Sequence, residues 1–232
     1  MKILKHPKID QDIIFNLDCY YHLVIENQLF YRQLVYGLKN QIENDDEYFL
    51  FYENEKEESL SKKGIVLDNL FDIKIDDKKA TSSIQKELTS GLDSSKKEQF
   101  SLLNKQINEY LQSLTYDYNL SLEYDDEISL ASLLKLSNVR LRKEEDTYLL
   151  SLLAQVKAIS FLQKTTIFFF INLHDFLSDD EFIKFIISLR ALEIDFLLIS
   201  SHFPINKPTD EFIIRIDNDL CELHLEANNK KD

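Results

Sequence analysis

Residues Thr165 to Ser201, TTIFFFINLHDFLSDDEFIKFIISLRALEIDFLLISS, constrain the fold more than any other stretch of the chain. Ile167 to Ile171 is an unbroken apolar run of the kind a strand needs when both its faces are covered. Ser178 with Glu181 three residues later is a capping-box pair, in which each side chain satisfies the other's orphan backbone donor. Phe182, Ile183, Phe185, Ile186 and Leu189 then give the helix a core-facing side, and Ile194 to Ser200 reads as a second strand. A strand-helix-strand crossover of this length implies a parallel pair. It is the repeating unit of nucleotide-binding α/β sheets.

The means of holding a nucleotide are nevertheless missing. A phosphate loop needs closely spaced glycines, because backbone donors must crowd the phosphates. This chain has only three glycines, Gly37, Gly64 and Gly91, far apart from one another. The strand ending at Glu26 is followed by Asn27-Gln28-Leu29-Phe30-Tyr31, without glycine or lysine. Asp175, Asp179, Asp180 and Glu181 surround the start of the helix after Ile171, where a phosphate requires positive potential. Asn172 stands where an acid would hold magnesium. ATP hydrolysis is not expected.

The rest of the chain supports one large α/β head with an insertion. Ile13 to Glu26 reads as two strands with a turn at Asn16 to Asp18, and Leu29 to Ile42 as an amphipathic helix. Tyr48 to Tyr52 and Ile65 to Leu67 read as strands, separated by a solvated loop from Glu53 to Lys63. Between Asp76 and Tyr118 polar, helix-compatible sequence takes over. Its longest apolar stripe is Phe100, Leu103, Ile107, Tyr110, Leu111, Leu114 and Tyr118, with Ser101, Asn104, Lys105, Asn108, Glu109 and Gln112 on the other face. So narrow a seam on a polar helix packs against a partner helix, within or between chains. Ile128 to Leu136 is a short helix led by acids, Val139 to Leu141 a short strand, and Glu144 to Gln163 an apolar helix beneath the sheet. Phe212 to Ile216 and Leu220 to Leu225 form a closing hairpin. The expected division is a head of residues 1–76 and 140–232 and a helical arm of residues 77–139.

Composition narrows the functional classes. With 44% apolar residues, 16 Phe and 11 Tyr in 232 residues, the chain folds. The amino-terminal MKILKHPKIDQD does not read as a secretory signal, and the longest uncharged apolar stretch is far too short to cross a membrane. Cys19 and Cys221 have neither metal nor redox spacing and read as buried, reduced thiols of a cytoplasmic protein. A net charge of -14 argues against a generic nucleic-acid coat. The charges are segregated, however: Ile107 to Glu127 carries six acids and no base, whereas Lys135, Arg140, Arg142 and Lys143 are four bases without an intervening acid.

Site motifs are sparse. There is no Glu-x-Lys of a metal-dependent nuclease, and the five histidines, His6, His22, His174, His202 and His224, lack the paired spacing of a zinc site, each reading as a surface or strand residue. Glu123, Asp125, Asp126 and Glu127 are four carboxylates in five residues. Their spacing, without an EF-hand glycine or a distal bidentate Glu, favours an acidic cap for the helix that begins at Ile128 over calcium, which takes many hard oxygen ligands.

The run LEYDDEISLASLLKL, then NVRL, the apolar helix, TTIFFFINLHDFLSDDE and IDFLLIS together resemble the Csn2 family of CRISPR-associated proteins from type II-A systems. The resemblance covers about a third of the chain well. It implies a degenerate P-loop-ATPase-like head with a mostly parallel sheet and an inserted helical arm, without catalytic activity. It further implies a calcium-dependent homotetrameric ring around the ends of linear double-stranded DNA, acting in spacer acquisition with the CRISPR integrase complex and the type II effector nuclease. Leu122 to Asp125 matches the family's calcium-binding stretch, which points to Glu123, Asp125, Asp126 and Glu127 as ligands of Ca2+. Ser121 and Ser132 stand where relatives carry acids. By charge alone, Lys135, Arg140, Arg142 and Lys143, then Lys78 and Lys79, are the candidate DNA contacts. An inactive ATPase-like scaffold working through protein contacts, and a nuclease using the Glu123 to Glu127 acids, are the competing readings.

Overall fold

The computed structural model describes residues 1–16, 19–71, 73, 77–116, 118–120, 122–140, 147–163, 167–203 and 211–226. The chain divides into two compact units, Met1–Lys74 with Glu144–Asp232, and Ile75–Lys143.

The first unit begins with strands β1 (Lys2–His6), β2 (Ile9–Phe15) and β3 (Tyr20–Ile25), followed by helix α1 (Gln28–Asn44). Strands β4 (Leu50–Glu53) and β5 (Lys56–Glu57), the short helix α2 (Leu60–Lys63) and strand β6 (Gly64–Leu67) come next. In the second unit lie α3 (Asp77–Ser90), α4 (Ser94–Tyr116) and α5 (Leu130–Leu136). The chain then returns with α6 (Tyr148–Gln163), β7 (Ile167–Ile171), a 3-10 turn at Leu173–Asp175, α7 (Asp179–Ala191), β8 (Asp195–Ser200), β9 (Glu211–Ile216) and β10 (Glu222–Glu226).

Two sheets organise the first unit. The smaller is antiparallel, in the order β2-β1-β4-β5; the larger has the order β10-β9-β3-β8-β7-β6. Every pair of the larger sheet is parallel except the β10–β9 hairpin. Tyr21, Leu23, Ile25, Phe169, Ile171, Leu197, Ile199, Ile214 and Ile216 face one core, shared with Phe30, Leu34 and Leu38 of α1 and with Leu4, Ile13 and Phe51 of the smaller sheet. Alternate residues point the other way, where Tyr20 meets Phe196 and Phe170 packs edge-on against Phe185 of α7. Leu152, Val156 and Ile159 bury one stripe of α6, beside α7. All five residues of β7 and all six of β3 are buried, as a doubly covered parallel sheet requires.

Local chemistry sets the helix ends. Asn27 caps α1 by accepting from the Phe30 N–H at 3.0 Å. The Ser178–Glu181 capping box forms at α7, with the Ser178 N–H and hydroxyl both donating to the Glu181 carboxylate. Those bonds hold the Glu181 carboxyl below its ordinary range. Buried Gln41 near the end of α1 ties the helix to the smaller sheet's approach: its amide donates to the Phe49 carbonyl at 2.7 Å and accepts from the Phe49 N–H at 2.8 Å.

Several sequence expectations change in three dimensions. β1 was not anticipated among the charges of the first residues; it forms because Leu4 and His6 are buried while Lys2 and Lys5 reach outward to Asp195 and Asp12. The segment Glu53 to Lys63 is not simply a solvated loop, since β5 and α2 form within it and Leu60 enters the core. Val139 lies outside any strand, and Leu141 falls outside the described residues. Cys19 is only half-buried and Cys221 is exposed, both free thiols, because each sits at a strand's edge and not within it. Ile183 turns outward, leaving Phe182, Phe185, Ile186 and Leu189 as the buried face of α7. Among the described residues no helix is long and apolar enough to cross a membrane.

Gln41→Ala strands the Phe49 N–H and carbonyl without partners in a buried position. A loss of about 2–4 kcal/mol is expected, read as a fall of roughly 5–10 °C in thermal midpoint by scanning calorimetry. Gln41→Glu keeps the acceptor but buries a charge and sets a carboxylate oxygen against the Phe49 carbonyl, so its midpoint should fall at least as far.

Candidate functional site

Parallel α/β sheets bind ligands in the crevice beyond the carboxyl ends of their strands. At the end of β3 only Glu26 and Asn27 separate strand from helix. The Glu26 N–H donates to the Ile216 carbonyl, and its carboxylate receives Arg215 through Nε at 2.8 Å and a terminal nitrogen at 2.7 Å. The Asn27 side chain is spent on its cap and on the Asn218 carbonyl. A link this short encloses no nest of backbone donors, and the guanidinium beside it is already neutralised.

The end of β7 is closed in a similar way. Asn172 adopts a left-handed conformation (φ 50°), its N–H donating to the Ile199 carbonyl and its side-chain oxygen accepting from the Ser201 N–H. Burial raises the Tyr31 phenol above its ordinary range, opposed by its hydrogen bond to Asn172 and reinforced by Asp175 and Asp68. Asp175 meets His202 at 3.2 Å, and Asp179, Asp180 and Glu181 occupy the first turn of α7. This edge of the sheet presents carboxylates and amides where a phosphate needs positive potential.

In the second unit, the acids Glu123, Asp125, Asp126 and Glu127 are all exposed and lie in the irregular segment before α5. Ser129, the residue that caps α5, accepts from the Ser132 N–H, so the acids precede the cap and do not form it. The segment is fastened to the polar face of α4. Asn104 donates to the Ile128 carbonyl at 3.1 Å and accepts from its N–H at 3.3 Å, and Asn108 donates to the Asp126 carbonyl. An open groove results, lined by Asn104, Asn108, Glu109 and Gln112 of α4 and by Asp126 and Glu127 of the segment. Glu109 joins this set only through the fold; its polar helical position was legible, its neighbour was not. No three of the four predicted carboxylates converge within ligand distance of one another in this structure.

The apolar stripe of α4 is only partly covered, with Phe100, Ile107 and Leu111 half-buried. No described side chain of the helix is buried, and Leu102, Leu103, Tyr110 and Leu114 are exposed. No helix among the described residues of this chain buries the seam, which leaves the between-chain branch of the expectation. Of the predicted bases, Lys135 sits exposed in the last turn of α5, where the helix dipole favours a cation. Arg140 is also exposed, and neither it nor Lys135 pairs with a carboxylate among the described residues. Arg142 and Lys143 lie outside the described residues, as do the side chains of Lys78 and Lys79.

One grouping lies beyond the reach of sequence spacing. His22 and His174, judged singly as residues without zinc spacing, come together with Glu211, with one ligand atom from each within 4.8 Å of the others. The available signal was a histidine inside the otherwise apolar run YYHLVI.

A family model described as a CRISPR-associated protein (Cas_Csn2) matches residues 41–220. No curated protein matches. Among solved structures, the chain is similar to a dimeric ATP-binding cassette in a post-hydrolysis state with ADP and phosphate, at 12% identity and a TM-score of 0.45, covering 99% of this chain and 100% of the other. It is also similar to the ADP form of an ATP-binding cassette of an ABC transporter, at 14% identity and a TM-score of 0.48, covering 97% and 92%.

Two outcomes follow from these geometries. Millimolar magnesium-ATP should leave the thermal midpoint unchanged; a rise of more than about 2 °C, a mass-action effect of binding to the folded state, would sink the reading of the closed sheet edge. Asn104→Ala with Asn108→Ala removes about 1 kcal/mol at each anchor. Limited proteolysis between Leu122 and Ser129 should then accelerate roughly thirty-fold, because cleavage follows the open population.

Proposed function

The chain belongs to the CRISPR-associated Csn2 family, its model matching residues 41–220, and on that premise we propose that it is a non-catalytic protein that binds the ends of linear double-stranded DNA. In this reading it works as a calcium-dependent homotetrameric ring during spacer acquisition, beside the CRISPR integrase complex and the type II effector nuclease.

The observation that carries the proposal is the partly covered stripe of α4. A helix of 23 residues without a buried described side chain, exposing Leu103, Tyr110 and Leu114 along one stripe, is paired by another copy of the chain in the assembled ring. Two further features support the reading. The carboxylates and amides at the sheet edge, with Glu26 paired to Arg215 and Asn172 bonded to Ser201, support a head kept for shape. The segregated bases at Lys135 and Arg140 offer a local positive surface on a chain of net charge -14, and a ring multiplies it by bringing several copies to one DNA.

Calcium fits the donor chemistry of the acidic segment. Glu123, Asp125, Asp126 and Glu127 are solvent-exposed oxygen ligands, and the groove they border adds Glu109 and the amides of Asn104, Asn108 and Gln112. A bound ion would offset the repulsion among these carboxylates and hold the segment against α4. A second reading, an inactive scaffold acting through protein contacts alone, is favoured by the same partly covered α4 together with the acidic net charge.

A mobility-shift assay separates them. The same duplex is offered as linear and as covalently closed circular DNA, with calcium or with a chelator. Binding of the linear form only, in calcium only, and without cleavage products is expected. Equal binding of both forms would refute end-threading, absence of binding would favour the scaffold, and cleavage would favour a nuclease. Neutralising Lys135, Arg140, Arg142 and Lys143 together should weaken binding and lower the slope of log K against log salt by about 1 for each phosphate that is no longer neutralised. Sedimentation in calcium should give a tetramer, and a stable monomer there would overturn the ring.

A further inference from the structure

His22 occupies the middle of β3 and is completely buried, in a strand that is otherwise apolar or aromatic. Its two ring nitrogens are both engaged: Nε2 lies 2.7 Å from Ser200 Oγ, and Nδ1 lies 2.8 Å from Glu211 Oε1. Ser200 donates its own hydroxyl hydrogen to the His202 carbonyl at 2.9 Å. The Ser200 oxygen is thus left to accept, and the hydrogen between it and His22 belongs to Nε2. A single hydrogen then occupies the contact between Nδ1 and the Glu211 carboxyl.

Two buried polar atoms beside this pair are unpartnered. Glu211 Oε2 and His174 Nε2 have no hydrogen-bond partner among the described residues, although Glu211 is only 2% exposed. A buried polar atom without a partner costs free energy, and a metal ion shared by the two would remove that cost. The His174 ring stacks on His22 with centroids 5.4 Å apart and on Phe182 of α7 at 3.9 Å.

We propose that His22, His174 and Glu211 form a buried binding site for a divalent transition-metal ion of the zinc type. Each residue places one ligand atom within 4.8 Å of the other two. Ligands on zinc bonds of about 2.0–2.1 Å stand roughly 3.4 Å apart in a tetrahedron, so modest side-chain rotation closes the set. Two imidazoles and a carboxylate suit zinc, cobalt or nickel, whereas calcium and magnesium favour all-oxygen sites. On binding, His22 exchanges the hydrogen shared with Glu211 for the metal, and that proton leaves to solvent. Its other nitrogen keeps donating to Ser200, the orienting contact that metal-bound histidines characteristically make. The ion clamps β3, β9 and the turn after β7 at one point of the larger sheet. This site lies wholly in the first unit and uses none of the acids assigned to calcium, so it stands or falls independently of the DNA-binding reading.

The full chain, stripped with chelator and dialysed, is titrated with Co2+ and then Zn2+. One equivalent of cobalt should give the visible bands of a four-coordinate ion with nitrogen and oxygen ligands, and zinc should bleach them while calcium does not. His174→Ala and Glu211→Gln should each weaken zinc binding at least tenfold, with far-ultraviolet circular dichroism unchanged. His224→Ala, at a surface His–Glu pair, should leave it unaltered. His22 itself is avoided because its replacement risks the fold. Absence of stoichiometric binding in the wild-type chain would overturn the proposal, as would undiminished affinity in both variants or loss of affinity in His224→Ala.

Discussion

Five adjacent strands of the larger sheet run parallel, and a parallel sheet is stable only when both of its faces are covered. Most features of the first unit answer that requirement. α1 and the smaller antiparallel sheet supply one cover, through Phe30, Leu34, Leu38, Leu4 and Phe51, and α7 with α6 supply the other, through Phe185 and its neighbours. The smaller sheet in turn depends on α1, because Gln41 satisfies both backbone groups of Phe49 in a buried position that water does not reach. Gly37 belongs to the same arrangement: the Tyr48 ring packs where a Cβ would stand, 2.6 Å away.

The layers are those of a nucleotide-binding sheet, while its carboxyl edge has been rebuilt. A two-residue link after β3, an ion pair at Glu26 and Arg215, and a left-handed Asn172 tied to Ser201 occupy that edge. The second unit offers an acidic segment held to α4 by two asparagines, and a helix whose apolar stripe is open to a partner.

How far each feature was legible in the sequence follows from the range of the interaction behind it. The β7–α7–β8 unit was readable because its apolar run, its capping box and its second strand are local. The acids at Glu123 to Glu127 were equally visible, being contiguous. Their attachment was not, because Asn104 and Asn108 announce only a polar helix face and reveal their partners after the chain turns back. β1 was missed because five residues with two outward lysines carry too little alternation to register. The exposure of Ile183 was missed because neighbouring apolar positions on a helix do not say where the covered face ends.

The sequence alone determined that the chain builds a parallel α/β sheet with a helical insertion, and that no phosphate loop is present, because both are written in contiguous residues and local periodicity. Only the tertiary structure decided what the buried polar groups do. His22, Ser200 and Glu211 meet because parallel register sets β3 between β8 and β9, and His174 reaches them because a 3-10 turn follows β7. Contacts among residues so distant along the chain have no signature in spacing; they exist only once hydrophobic burial has stacked the strands.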